Sequence, residues 1–314
     1  MKTAYIFPGQ GSQSVGMGQA LSAAFPIARE TFQEVDDALN QKLFALMTQG
    51  AEADLTLTEN AQPAIMACSI AALRVMEREM GVDVARDVAL VAGHSLGEYS
   101  ALTAAGAISL ADTARLLKIR GQAMQAAVPQ GQGAMAAIIG LAFDDVKAIC
   151  TEASKDGEVC EVANYNSDQQ VVISGSVAGI DAAMALAKER GAKRALPLPV
   201  SAPFHCSLME PAAQRMREAL AQVRFQNPCI PLVANVTAIA VTDADMIRPL
   251  LVEQVTGMVR WRESVDMMSE SGITRFVEIG HGKILAGLVK RLAPDAQMVN
   301  VGTPDDIDAF SKAA

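Results

Sequence analysis

Gly93-His94-Ser95-Leu96-Gly97 follows the apolar run Val88-Ala89-Leu90-Val91-Ala92 and leads into a helix-forming stretch. A serine between two glycines at a strand-to-helix corner projects its hydroxyl free of the backbone, and the next amide N–H points at the same space. Ser95 is therefore a candidate nucleophile, and the positive end of the following helix lies beside any oxyanion formed there. A serine needs a base at neutral pH, and the chain contains only three histidines, His94, His205 and His281. His94 adjoins Ser95, and neighbours at a strand end point in different directions, so it reads as shaping the turn. His205 lies in Ser201-Ala-Pro-Phe-His-Cys-Ser207, and His281 in the glycine loop Glu278-Ile-Gly-His-Gly-Lys283. Spacing does not choose between these two, and either can instead satisfy backbone groups at a helix start.

Two further features bear on the chemistry. Phe7-Pro-Gly-Gln-Gly-Ser-Gln13 follows the first predicted strand and can aim backbone N–H groups at an oxygen. Its glycines do not have dinucleotide-binding spacing. On the predicted helix 109–127, Leu110, Ala114, Leu117, Gly121 and Met124 form an apolar stripe, and Arg120 borders or joins it. A guanidinium held there needs an anion. That anion is either an internal Asp or Glu or a carboxylate on a substrate, which a planar fork grips bidentately.

The elements that must position these residues alternate short apolar runs with helical patterns, the rhythm of an α/β fold with an open, largely parallel sheet. Strands are predicted at 3–7, 88–92, 231–235 and 274–279, with helices at 62–80, 109–127, 207–223, within 245–271, and a last one after Gly282. Residues 128–200 differ: strand 134–140, helix 144–154, strands 159–164 and 170–175, helix 177–190 and strand 194–200 make the ferredoxin-like order β-α-β-β-α-β. Pro129-Gln-Gly-Gln-Gly133 opens this block and Pro197, Pro199 and Pro203 close it. It reads as a small lobe, 128–200, inserted into a large one, 1–127 and 201–314, with a substrate cleft between them.

At 314 residues with 51% hydrophobic and 19% charged residues, the chain has the size and composition of a globular enzyme. A net charge of −9 argues against a nucleic-acid binder. There is no signal-peptide pattern and no apolar run of membrane-spanning length, so cytoplasmic residence is expected. Cys68, Cys150, Cys160, Cys206 and Cys229 are scattered and odd in number, so reduced thiols are expected rather than a disulfide framework or zinc site.

Phe7–Gln13, Gly93-His-Ser-Leu-Gly-Glu-Tyr-Ser-Ala-Leu102, Arg120-Gly-Gln-Ala-Met124, Val162-Ala-Asn-Tyr-Asn-Ser167, Ser201–Met209 and Glu278–Leu285 together resemble the malonyl-CoA:acyl-carrier-protein transacylase family, in order and over essentially the whole chain. The resemblance implies an α/β-hydrolase-like large domain with a mostly parallel sheet and an inserted ferredoxin-like domain. It implies that His205 is the base for Ser95, that Arg120 binds the malonyl carboxylate, and that the amides of Gln10 and Leu96 form the oxyanion hole. By the same likeness the main-chain carbonyl of Gln254 orients the histidine, Asn164 and Gln62 line the cleft, and Phe204 resembles the bulky neighbour of malonyl-selective members. One residue departs: His281 stands where the family commonly has proline, which puts a second imidazole near the site. The implied activity is ping-pong transfer of malonyl from malonyl-CoA to holo acyl carrier protein for fatty acid synthesis. A monomer with no metal, organic cofactor, nucleic acid or membrane partner is expected, with the carrier docking on Lys283, Lys290 and Arg291. A polyketide acyltransferase or the malonyl transferase of a decarboxylase would look nearly identical. A serine thioesterase would share Ser95 and His205 but have little use for a buried arginine.

Overall fold

The computed structural model describes residues 1–155, 157–200 and 202–313. Ser201, which opens one of the resembling blocks and the second large-lobe segment, and the terminal Ala314 lie outside the described residues. Among the described residues, ten strands form two sheets: β1 (Thr3–Phe7), β2 (Leu90–Gly93), β3 (Gly133–Ile139), β4 (Cys160–Ser167), β5 (Gln170–Ser176), β6 (Arg194–Pro197), β7 (Leu232–Val233), β8 (Ala240–Val241), β9 (Arg275–Ile279) and β10 (Gln297–Val301). The larger sheet has the order β10-β9-β1-β2-β7-β8, parallel throughout except for the edge pair β7/β8.

Strand β1 is buried at all five positions, the run expected of a parallel strand covered on both faces. Its side chains alternate between two cores. Tyr5 and Phe7 join Val91, Val277 and Ile279 against the helix Thr58–Met80, whereas Ala4 and Ile6 join Leu90, Phe276, Trp261 and Val265 on the opposite face. Each large apolar side chain so buried contributes about 1.5–3 kcal/mol. The carboxyl ends of β1, β2 and β7 then open together at one rim, where parallel α/β sheets bind ligands.

Residues 133–197 form the second sheet, antiparallel with order β4-β5-β3-β6. Ala136, Ile138, Val171 and Ile173 pack on helices Phe143–Ala153 and Val177–Glu189, while Met135, Ala137 and Val172 face the large core. The β-α-β-β-α-β order matches the sequence reading.

Several expected elements differ in extent. Strand β6 ends at Pro197 instead of residue 200, because prolines at 197 and 199 cannot donate to the ladder. The helix expected from Ser207 begins as a 3-10 turn, Ser207–Met209, and becomes α-helical from Glu210. The 245–271 stretch is two helices, Ala244–Thr256 and Trp261–Glu270, and the helix after Gly282, Ile284–Leu292, is followed by β10 and another helix, Pro304–Ala313. Cys68, Cys150, Cys160 and Cys206 are buried free thiols and Cys229 is exposed. Among the described residues, no helix is long and apolar enough to cross a membrane.

Helix Leu110–Ala127 starts at Ser109, whose hydroxyl accepts from the Asp112 amide, and it packs on Thr58–Met80. Gly121 sets their separation: a Cβ there would lie 2.5 Å from Glu59 Cα and 2.7 Å from the Thr58 carbonyl oxygen. The close approach brings Arg120 within reach of Gln62. Gly121→Ala is expected to cost about 1–3 kcal/mol by overpacking, read as a lower Tm by scanning calorimetry; an unchanged Tm would show that the two helices part freely.

Candidate active site

The turn after β2 holds Ser95 at φ 54°, the left-handed region that a non-glycine residue enters at a cost of about 1–2 kcal/mol. Asn235, just beyond β7, brackets it. Its Oδ1 accepts the Ser95 amide N–H at 2.7 Å, and its Nδ2 donates to the Gly93 carbonyl at 2.7 Å. Helix Gly97–Ala104 then starts against the end of β1, where a Cβ on Gly97 would lie 2.2 Å from the Phe7 carbonyl oxygen. Strained backbone held by its surroundings in this way is characteristic of functional sites.

Ser95 Oγ lies 2.8 Å from Nε2 of His205, which is itself at φ 59°. The other ring nitrogen, Nδ1, is 2.8 Å from the Gln254 carbonyl and 3.2 Å from that of Gly257. Carbonyls only accept, so Nδ1 carries the proton and Nε2 is left to accept the proton of Ser95. Both carbonyls belong to the last turn of Ala244–Thr256 and its cap, where helices leave carbonyls unpaired and carry partial negative charge. Burial above all, with the nearby Arg120 charge, lowers the His205 pKa to about 3, against the opposing pull of the two carbonyls.

Arg120 is 1% exposed, and among the described residues no carboxylate forms an ion pair with it. Neutral oxygens take its hydrogen bonds: Nη1 donates to Gln62 Oε1 at 2.9 Å, and Nη2 to Gln254 Oε1 at 2.9 Å and Ser95 Oγ at 3.1 Å. Among the described residues, its Nε has no hydrogen-bond partner. Burial presses its pKa below the usual arginine value, opposed by Tyr99 and Glu98. The internal Asp or Glu partner that the sequence left open is therefore not in contact. A cation with unspent donors faces the serine hydroxyl instead.

Ser95, His205, Arg120, Gln10, Leu96, Gln62, Asn164 and Phe204 all line one cleft of about 290 Å³. Among the described residues, the amide N–H groups of Gln10 and Leu96 have no protein acceptor. The Gln10 loop is braced by its own bonds, Gly11 N–H to Gln13 Oε1 and Ser12 Oγ–H to the Gly9 carbonyl, both 2.8 Å. Met124, Met135, Leu198, Val200 and Phe204 supply an apolar wall. Gln254 is fully buried behind the cleft.

His281 is not brought into the cleft. Its Nε2 lies 2.8 Å from Ser14 Oγ, and glycines at φ 132° and 91° on either side turn the loop toward that neighbour. His94 Nε2 lies 2.9 Å from Asn166 Oδ1, and burial lowers its pKa, in keeping with a turn-shaping role. Asn235, Glu98 and the Gln254 carboxamide escaped the sequence reading. The available signal was position: Asn235 follows a parallel strand at its carboxyl end, and Glu98 lies one turn after the serine.

Comparison with known proteins extends these observations along the chain. The family described as acyl transferase domain matches residues 4–309. The malonyl CoA-acyl carrier protein transacylase of Escherichia coli (strain K12) is 47% identical over 289 residues, 92% of each chain. The crystal structure of acyl-carrier-protein-S-malonyltransferase from Bartonella henselae superposes with a TM-score of 0.97 at 52% identity, covering 100% of this chain and 99% of that one. A malonyl-transacylase solved in complex with its type II PKS acyl-carrier protein superposes with a TM-score of 0.96 at 41% identity, covering all of both chains. The likeness thus runs through both sheets and every wall of the cleft, and the chain belongs to the malonyl-CoA:acyl-carrier-protein transacylase family.

Proposed function

We propose that this chain transfers malonyl from malonyl-CoA to the phosphopantetheine thiol of holo acyl carrier protein, through a malonyl-Ser95 ester, in fatty acid synthesis. The observation that carries the reading is the buried Arg120 guanidinium, 3.1 Å from Ser95 Oγ and, among the described residues, without a carboxylate partner. A malonyl carboxylate supplies the missing charge and, being bidentate, places the thioester carbonyl beside the hydroxyl. The names of the relatives and the solved carrier complex support the donor and acceptor.

His205 Nε2 takes the Ser95 proton as Oγ attacks the thioester carbonyl, and the tetrahedral oxyanion rests on the Gln10 and Leu96 amides. Collapse breaks the C–S bond, and His205 returns the proton to the coenzyme A thiolate. The carrier thiol then attacks the ester by the same steps in reverse. Gln254 orients the base through its carbonyl. Gln62, Asn164 and Phe204 shape the cleft, with the Phe204 ring set against a substituent on the malonyl C2.

The assignment extends to the whole molecule: residues 1–127 and 201–314 form the catalytic domain, 128–200 the small one, and the enzyme works as a cytoplasmic monomer. The exposed Lys283, Lys290 and Arg291 are assigned to carrier docking.

Brief incubation with malonyl-CoA is expected to add one malonyl group by intact-protein mass spectrometry, stable in water and cleared by holo acyl carrier protein. Ser95→Ala should show none, and rapid loss to free malonate would mean a hydrolase. Arg120→Ala is expected to lower kcat/KM for malonyl-CoA about 10–100-fold, the worth of hydrogen bonds to a charged group, while changing acetyl transfer far less; equal losses on both donors would remove the carboxylate-binding role. A base works only unprotonated, and the lowered pKa of His205 keeps it so as pH falls. The acid limb of kcat/KM for enzyme acylation is therefore expected well below the ordinary imidazole value of about 6.5, and Arg120→Ala should move it upward by removing a nearby positive charge. A wild-type limb at the ordinary value would contradict this.

A further inference from the structure

The Gln254 carboxamide is fully buried and sits among groups of fixed hydrogen-bonding character. Its Nε2 donates to the Ser95 carbonyl at 2.9 Å and to Glu98 Oε2 at 2.8 Å, and its Oε1 accepts from Arg120 Nη2 at 2.9 Å. Arginine only donates, a carbonyl only accepts, and Glu98 Oε2 also accepts the Asn235 amide N–H, so one orientation of the amide satisfies all three neighbours. The flipped amide would set donors against the guanidinium and an acceptor against two acceptors.

Glu98 is itself held. It is 1% exposed, occupies the first turn of the helix after Ser95, and its Oε2 also accepts the Asn235 amide N–H at 3.2 Å. Asn235 in turn brackets Ser95. The acidic side chain is therefore tied to the same turn as the nucleophile, and it reaches Arg120 only through an intervening amide. A direct ion pair would satisfy the guanidinium and compete with the substrate carboxylate. The interposed carboxamide positions the guanidinium without neutralising it.

We infer that Glu98 is a positioning residue for malonyl selection: it locks the Gln254 carboxamide with its oxygen toward Arg120, and so fixes where the guanidinium offers its remaining donors. The inference rests on Arg120 as the site of the malonyl carboxylate. Both bonds to Glu98 fall on one oxygen. Glu98→Gln can therefore keep both through its amide carbonyl, whereas Glu98→Ala keeps neither.

The test is steady-state transfer to holo acyl carrier protein by the full chain, with malonyl-CoA and acetyl-CoA as alternative donors. Glu98→Ala is expected to raise KM for malonyl-CoA about tenfold, the loss of one well-placed charge-assisted bond. The malonyl-to-acetyl preference falls by a similar factor, and acetyl transfer changes little. Glu98→Gln retains the preference. If Glu98→Ala does not accumulate as folded protein, Gln254→Leu, which keeps the main-chain carbonyl for His205, is expected to show the same loss of preference. An unchanged preference in the folded variant overturns the inference, as do equal losses on both donors or a Glu98→Gln variant as impaired as Glu98→Ala. Arg120→Ala, assayed alongside, separates the two levels. If it relaxes the preference while Glu98→Ala does not, the Glu98 inference alone falls; if it leaves the preference intact, the reading of Arg120 falls and the inference with it.

Discussion

A buried guanidinium, with no acid in contact among the described residues, is the constraint around which this site is built. Removing a full charge from water is costly unless hydrogen bonds and an opposite charge replace the lost hydration. Arg120 receives part of that replacement from Gln62, Gln254 and Ser95, each through an uncharged oxygen. Three elements must therefore meet at one point: the helix carrying Gln62, the turn carrying Ser95 and the end of the helix carrying Gln254. The contact between the first of these and the helix that carries Arg120 depends on backbone closeness at Gly121.

The same charge reaches the acid–base pair. Arg120 adds to burial in lowering the His205 pKa, which favours a neutral imidazole with Nε2 facing the Ser95 hydroxyl. On the proposed reading, a malonyl carboxylate at Arg120 offsets that charge and raises the basicity of His205, so that binding of the acyl group and activation of Ser95 become one electrostatic event. Glu98 belongs to the same balance: burial pushes its pKa to about 7, against the pull of the Gln254 and Asn235 N–H groups and of Arg120.

Much of this is legible in the amino-acid sequence. Ser95 was legible because its turn is local: strand, corner and helix lie within a dozen consecutive residues. Arg120 is legible as a charge that borders or joins an apolar stripe, which the helical period reveals. The β-α-β-β-α-β order of 133–197 was readable from alternating patterns and proline boundaries. His205 could not be separated from His281 by spacing, since its partner lies 110 residues away; likeness to a family made that choice. Glu98, Asn235 and the Gln254 side chain were illegible for a related reason. Each is an ordinary polar residue in sequence and acquires its part only where strand ends and helix ends converge. Two helices in place of one long stretch at 244–270, and β10 with its following helix, were missed because short apolar runs near glycine carry little periodicity.

The histidine is oriented by peptide oxygens at the end of a helix, where many serine enzymes employ a carboxylate. A main-chain carbonyl has no proton to gain or lose over the range in which proteins stay folded, and substitution cannot delete it. The third member of the proposed catalytic set is thus insensitive both to acidity and to point mutation of its side chain. The sequence at 254 is free, as far as the imidazole is concerned, to be chosen for the arginine instead.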